Sequence, residues 1–209
     1  MTPNHRLLPL CLLVSGVAGA ASLCDSGLFL TSGTATYQIK TPTGTSKFTS
    51  RSVIQGDQIR VTTTNASGKA TPTTWLCSSR GATLKAEPGG MAMSIQSSFL
   101  PGSTQLRPGY SWKSSTKLGR QGAGMTSNST NRVTGREQVV TPAGRFTAWK
   151  IQIQTVSSLD MPAGTKMPPG MSGLNQTSES SAWYAPGVGL VRSEDRSNGV
   201  TLTLIKVAK

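Results

Sequence analysis

A chain of 209 residues with one histidine, His5, has little scope for histidine-based catalysis, since any Ser-His-Asp triad or Cys-His pair would depend on that single position. Lysine and arginine number 21 against 8 acidic residues, a formal charge of +13, so the surface favours anionic partners such as lipid headgroups, acidic glycans or nucleic acid. Aromatic residues make up 5% of the chain and Gly numbers 23, which with abundant Thr and Ser fits an exported β protein with a modest core.

The first element is a leader. Met1 to Arg6 forms a short n-region ending in a positive charge, Leu7 to Val17 an apolar h-region too short to span a bilayer, and Ala18-Gly19-Ala20 a small-x-small cleavage site. Residues 1–20 therefore read as a secretory signal peptide and 21–209 as a single β domain starting at Ala21, destined for the periplasm or the extracellular space. Cleavage removes His5, Arg6 and Cys11, leaving 189 residues with no His and a charge of +12 from 20 basic and 8 acidic groups. No later run has the length and apolarity of a transmembrane segment. Leu23, not a small residue, precedes Cys24, which argues against a lipid anchor. The two remaining cysteines, Cys24 and Cys77, permit one internal disulfide in an oxidising compartment, worth about 4 kcal/mol in the chain-entropy model.

Downstream, period-2 alternation broken by Gly, Pro, Asn and Ser predicts strands near 34–40, 46–54, 57–63, 72–78, 82–86, 91–97, 110–117, 130–140, 149–153, 179–184, 188–195 and 199–207. Ile59, Val61 and Thr63 share one face, and Trp149, Ile151 and Ile153 alternate with Lys150, Gln152 and Gln154. Thr41-Pro42-Thr43-Gly44, Asn65-Ala66-Ser67-Gly68, Pro142-Ala143-Gly144 and Ser197-Asn198-Gly199 are turn signals, and Asn198-Gly199 predicts a terminal hairpin of strands 188–195 and 199–207. Residues 118–129, rich in Gly, Ser and Asn, read as a mobile connection. Residues 158–175, with Pro162, Pro168 and Pro169, read as a long Met-bearing loop. The expected fold is all-β, a curved antiparallel sheet forming an open half barrel.

Motifs for chemistry are sparse. There is no G-x-S-x-G and no H-E-x-x-H, and a mature thiol would lack an activating histidine. Asp57, Glu87, Glu137, Asp160, Glu179, Glu194 and Asp195 supply carboxylates, but no spacing singles out a glycosidase pair, and the adjacent Glu194 and Asp195 point to opposite faces of a strand. Met91 and Met93 with Met161, Met167 and Met171 place five thioethers in two short segments; thioethers select Cu(I), which makes a Met-based copper carrier one alternative. Met equally fills adaptable apolar surfaces. Residues 107–150 hold eight cations, among them Lys113, Lys117, Arg132 and Arg136, against Glu137 alone, with Tyr110, Trp112, Phe146 and Trp149 interleaved. That pattern makes a basic protein for anionic glycan or nucleic acid a second alternative. Strand parity sets Trp112 opposite Lys113 and Trp149 opposite Lys150, which suits a core of aromatics and a shell of cations, and the export signal argues further against nucleic acid.

Val139-Val140-Thr141-Pro142-Ala143-Gly144-Arg145-Phe146-Thr147-Ala148-Trp149-Lys150-Ile151, followed by Trp183-Tyr184-Ala185-Pro186-Gly187-Val188-Gly189-Leu190-Val191, resembles a signature of exported bacterial domains of unknown function, similar to the TapB-like group and to LolA/LolB-like half barrels. An N-terminal Cys24 with Trp75-Leu76-Cys77 also resembles that group. The resemblance implies an envelope half barrel and carries no catalytic residue.

These readings converge on a non-catalytic envelope protein without a cofactor, holding an apolar or amphipathic ligand on the concave sheet face. Trp149, Ile151, Ile153 and Trp183 are expected to share inward parity, with Met161, Met167 and Met171 as an adaptable cover at the mouth. A further expected contact is the anionic envelope surface.

Overall fold

The computed structural model describes residues 28, 33–78, 81–85, 92–95, 100–120, 123–160 and 176–208. The first strands are β1 (Thr34–Thr41), β2 (Gly44–Gln55), β3 (Gln58–Thr64), β4 (Ala70–Ser78) and β5 (Gly81–Lys85), each antiparallel to the next. Two short strands follow, β6 (Ala92–Ile95) and β7 (Leu100–Pro101), then the 3-10 turn Ser103–Gln105. The second meander comprises β8 (Ser111–Arg120), β9 (Ala123–Thr141), β10 (Gly144–Asp160), β11 (Gln176–Ala185), β12 (Gly189–Asp195) and β13 (Val200–Ala208). β13 pairs with β1 and joins the halves into one 13-stranded antiparallel sheet, β6-β8-β9-β10-β11-β12-β13-β1-β2-β3-β4-β5-β7. The order is linear, ending at β6 and β7, so the sheet is open as expected. No described residue lies in an α-helix.

Local chemistry explains the turns. Asn65 Oδ1 accepts from the backbone N–H of Ser67 (3.1 Å) and Lys69 (2.9 Å) and closes β3 onto β4. Between β12 and β13, Asp195 Oδ1 accepts from the N–H groups of Ser197 (3.0 Å) and Asn198 (3.1 Å), while Gly199 takes φ of 62°. The terminal hairpin thus forms where Asn198-Gly199 placed it.

Two expectations are corrected. Residues 118–129 are not a mobile connection: β8 runs through Arg120 and β9 starts at Ala123, with Gly119 opposite Gly124. The Ser and Asn content that suggested a loop supplies cross-strand hydrogen bonds instead, Ser127 to Ser157 (2.9 Å) and Ser129 to Thr155 (2.9 Å). Residues 158–160 of the expected loop 158–175 are instead the end of β10; the remainder, 161–175, lies outside the described residues.

Register shifts at Thr36/Tyr37, Lys150/Ile151 and Trp183/Tyr184 insert bulges that bend the ribbon. One buried cluster gathers Tyr37, Val139, Ala148, Trp183, Ala185, Val191 and Leu204 from β1 and β9 to β13. A second holds Ile59, Cys77 and Ala82, flanked by Ile54, Val61 and Trp75, on β2 to β5.

Candidate functional site

Directly opposed residues of an antiparallel ladder project to the same side. The Thr41–Gly44 turn sets Tyr37 opposite Phe48 and Ala35 opposite Ser50; the next pairings set Ser52 opposite Val61 and Ile59 opposite Trp75. All these residues therefore face one side of β1 to β4. All of them but Ile59, which is fully buried in the second cluster, line a cavity of about 220 Å³ there with Leu28, Leu100, Tyr184, Leu190 and Leu202. The Tyr37 and Phe48 rings stack at 5.1 Å, forming part of its wall.

The walls are apolar with a few polar points. Tyr37 Oη donates to the Leu190 carbonyl at 3.0 Å, and burial pushes its pKa up from 10.0 to about 12. The Tyr184 phenol is pushed up further, first by burial and then by the neighbouring Tyr37. Both hydroxyls are therefore neutral at physiological pH, able to donate or accept a hydrogen bond without carrying charge. Ser50 and Ser52 add hydroxyls from β2.

The residues expected to form the site from sequence are only partly brought together. Trp149, opposite Tyr184, shares a face with Ile151 and Ile153, which lie opposite Ala182 and Ser180. Trp183 does not join them: its partner across the ladder is Lys150, so it projects from the other face. Trp183 is 5% exposed, its Nε1 donates to Glu137 Oε1, and Lys150 and Arg192 lie over its ring at 5.0 and 5.5 Å. Lys150 also pairs with Glu137 at 3.7 Å. Trp149 is half-buried beneath the Arg136 guanidinium at 4.5 Å, so cations stack on these rings rather than forming a shell apart from them.

None of Trp149, Ile151, Ile153 and Trp183 lines the cavity. Met161, Met167 and Met171, like Met91 and Cys24, lie outside the described residues. Sequence reasoning missed Tyr37, Phe48, Trp75 and Tyr184. The missed signal was the Thr41–Gly44 turn, which dictates the Tyr37–Phe48 pairing by counting back along both strands.

Among the described residues no three His, Cys, Asp or Glu side chains gather to hold a metal, and no helix is long and apolar enough to cross a membrane. Residues 111–203, from the start of β8 into β13, match the model of the DUF3108-like family. Two solved structures share the fold. One is a Bacteroides fragilis protein described as exported and YmcC-like in fold, with 18% identity, TM-score 0.59, and coverage of 88% of this chain and 100% of that one. The other is described as a lipoprotein of Parabacteroides distasonis, with 16% identity, TM-score 0.57, and coverage of 88% and 99%. These matches name a domain of unknown function and a YmcC-like fold, not the TapB-like or LolA/LolB-like groups. No curated protein matches the chain.

Proposed function

We propose that this chain is an exported, non-catalytic envelope protein that holds an apolar or amphipathic molecule in the cavity walled by Tyr37, Phe48, Trp75, Leu100, Tyr184 and Leu202. The cavity carries the reading: its walls are apolar and aromatic, with a few neutral hydroxyls to orient a polar end. At about 220 Å³ it falls below the roughly 300–1,000 Å³ of sites for drug-sized ligands, which favours one acyl chain over a bulky ring system. Export is supported by the leader-like residues 1–20 and by fold relatives described as an exported protein and a lipoprotein. A Cys24–Cys77 disulfide belongs to the same proposal, supported by Cys77 being disulfide-bonded and 7% exposed.

The test is saturable binding of an environment-sensitive apolar dye and its displacement by a medium-chain fatty acid. Ser50→Phe, which fills the cavity from a half-buried position, is expected to abolish binding while leaving the melting temperature within a few degrees. Val140→Ser, at an exposed site outside the cavity, is the control. Absence of saturable binding, or binding indifferent to Ser50→Phe, overturns the proposal.

A further inference from the structure

A second concave site lies across β9, β10 and β11 and shares no lining residue with the cavity. Gln152 stands between Arg132 of β9 and Ser181 of β11, and Gln154 between Thr130 and Glu179. By alternation along β10 and β11 these rows share the parity of Lys150 and Trp183. The Arg196 N–H donates to the Glu179 carbonyl at 3.1 Å and brings that arginine to the end of the second row. Together with Ile153 and Ser180 these residues line a groove of about 410 Å³.

We infer that this groove binds an acidic saccharide. Arg132 and Arg196 are exposed, and neither is in an ion pair among the described residues, whose pairs are Lys150–Glu137 and Arg192–Glu194. Each presents a planar fork matched to a carboxylate or sulfate. Gln152, Gln154, Thr130 and Ser181 offer donors and acceptors side by side, as alternating sugar hydroxyls require. Glu179 settles the charge density of the ligand: its carboxylate accepts from a hydroxyl but repels closely spaced phosphates. No aromatic ring lines the groove, so nucleic-acid bases find nothing to stack on. A sparsely charged glycan fits where a nucleic-acid strand does not.

The experiment is calorimetric titration of the full mature chain with an oligogalacturonide, a neutral maltooligosaccharide and an oligothymidylate of equal charge, at low and physiological salt. The acidic saccharide alone is expected to bind. Arg132→Gln and Arg196→Gln each weaken it about tenfold, Arg132→Lys recovers part of that loss, and the remote pair Arg51→Gln/Arg60→Gln leaves it within about twofold. Protection of Arg132 and Arg196 in the unmutated protein from an arginine-modifying dicarbonyl by the oligogalacturonide tests the same contact without any substitution. No binding of the acidic saccharide, tighter binding of the oligothymidylate, equal weakening by the remote pair, or no protection overturns the inference.

Discussion

At the residue scale the two tyrosines set a pH signature. Both phenols hold their proton more tightly in the fold than in the unfolded chain, where Tyr titrates near 10.0. The folded state thus binds more protons above that pH. Stability is full below about pH 10 and falls as pH rises through about 12, the value for Tyr37. Urea titrations at stepped alkaline pH should show that decline, and Tyr37→Phe/Tyr184→Phe should flatten it. At neutral pH Tyr37→Phe loses the hydrogen bond to Leu190, for about 1 kcal/mol. Trp183 packs in the same buried cluster as Tyr37 but does not line the cavity. Trp183→Ala removes a ring bonded to Glu137 and covered by two cations, and is expected to cost about 3–5 kcal/mol by denaturant titration.

At the scale of elements, Gly81 fixes one end of the sheet. It has φ of 119°, and a Cβ built there would lie 1.9 Å from the Leu100 carbonyl oxygen, within the β5–β7 pairing. Gly81→Ala is expected to destabilise by more than about 1 kcal/mol and to release amide protection at Ala82 and Leu100. Gly68→Ala has φ of 82° and open space around it, so it meets backbone strain alone and should cost less. Strand identity along β1 to β4 was readable because period-2 alternation and turn chemistry agree there. Residues 118–129 misled because Gly, Ser and Asn signal loops by composition, while a long two-stranded ribbon uses the same hydroxyls across its ladder. Trp183 misled for another reason: parity within a strand says nothing about the register of its neighbour, and that register pairs it with Lys150.

At the scale of the whole molecule, the proposed Cys24–Cys77 bridge would tie the start of the mature chain to β4. Intact mass before and after alkylation should show one disulfide and an N-terminus at Ala21, and Cys77→Ser should lower stability by up to about 4 kcal/mol. The sequence by itself determined an all-β chain, its hairpin turns and its strongly basic surface, because side-chain alternation, turn residues and charge are local properties. Only the tertiary structure decided where a cavity opens. It pairs β13 with β1 and so brings Tyr184 and Leu190, from β11 and β12, against Tyr37, Phe48 and Trp75 near the start of the chain. Contacts between residues so far apart depend on sheet order and bulge position, which no local pattern encodes.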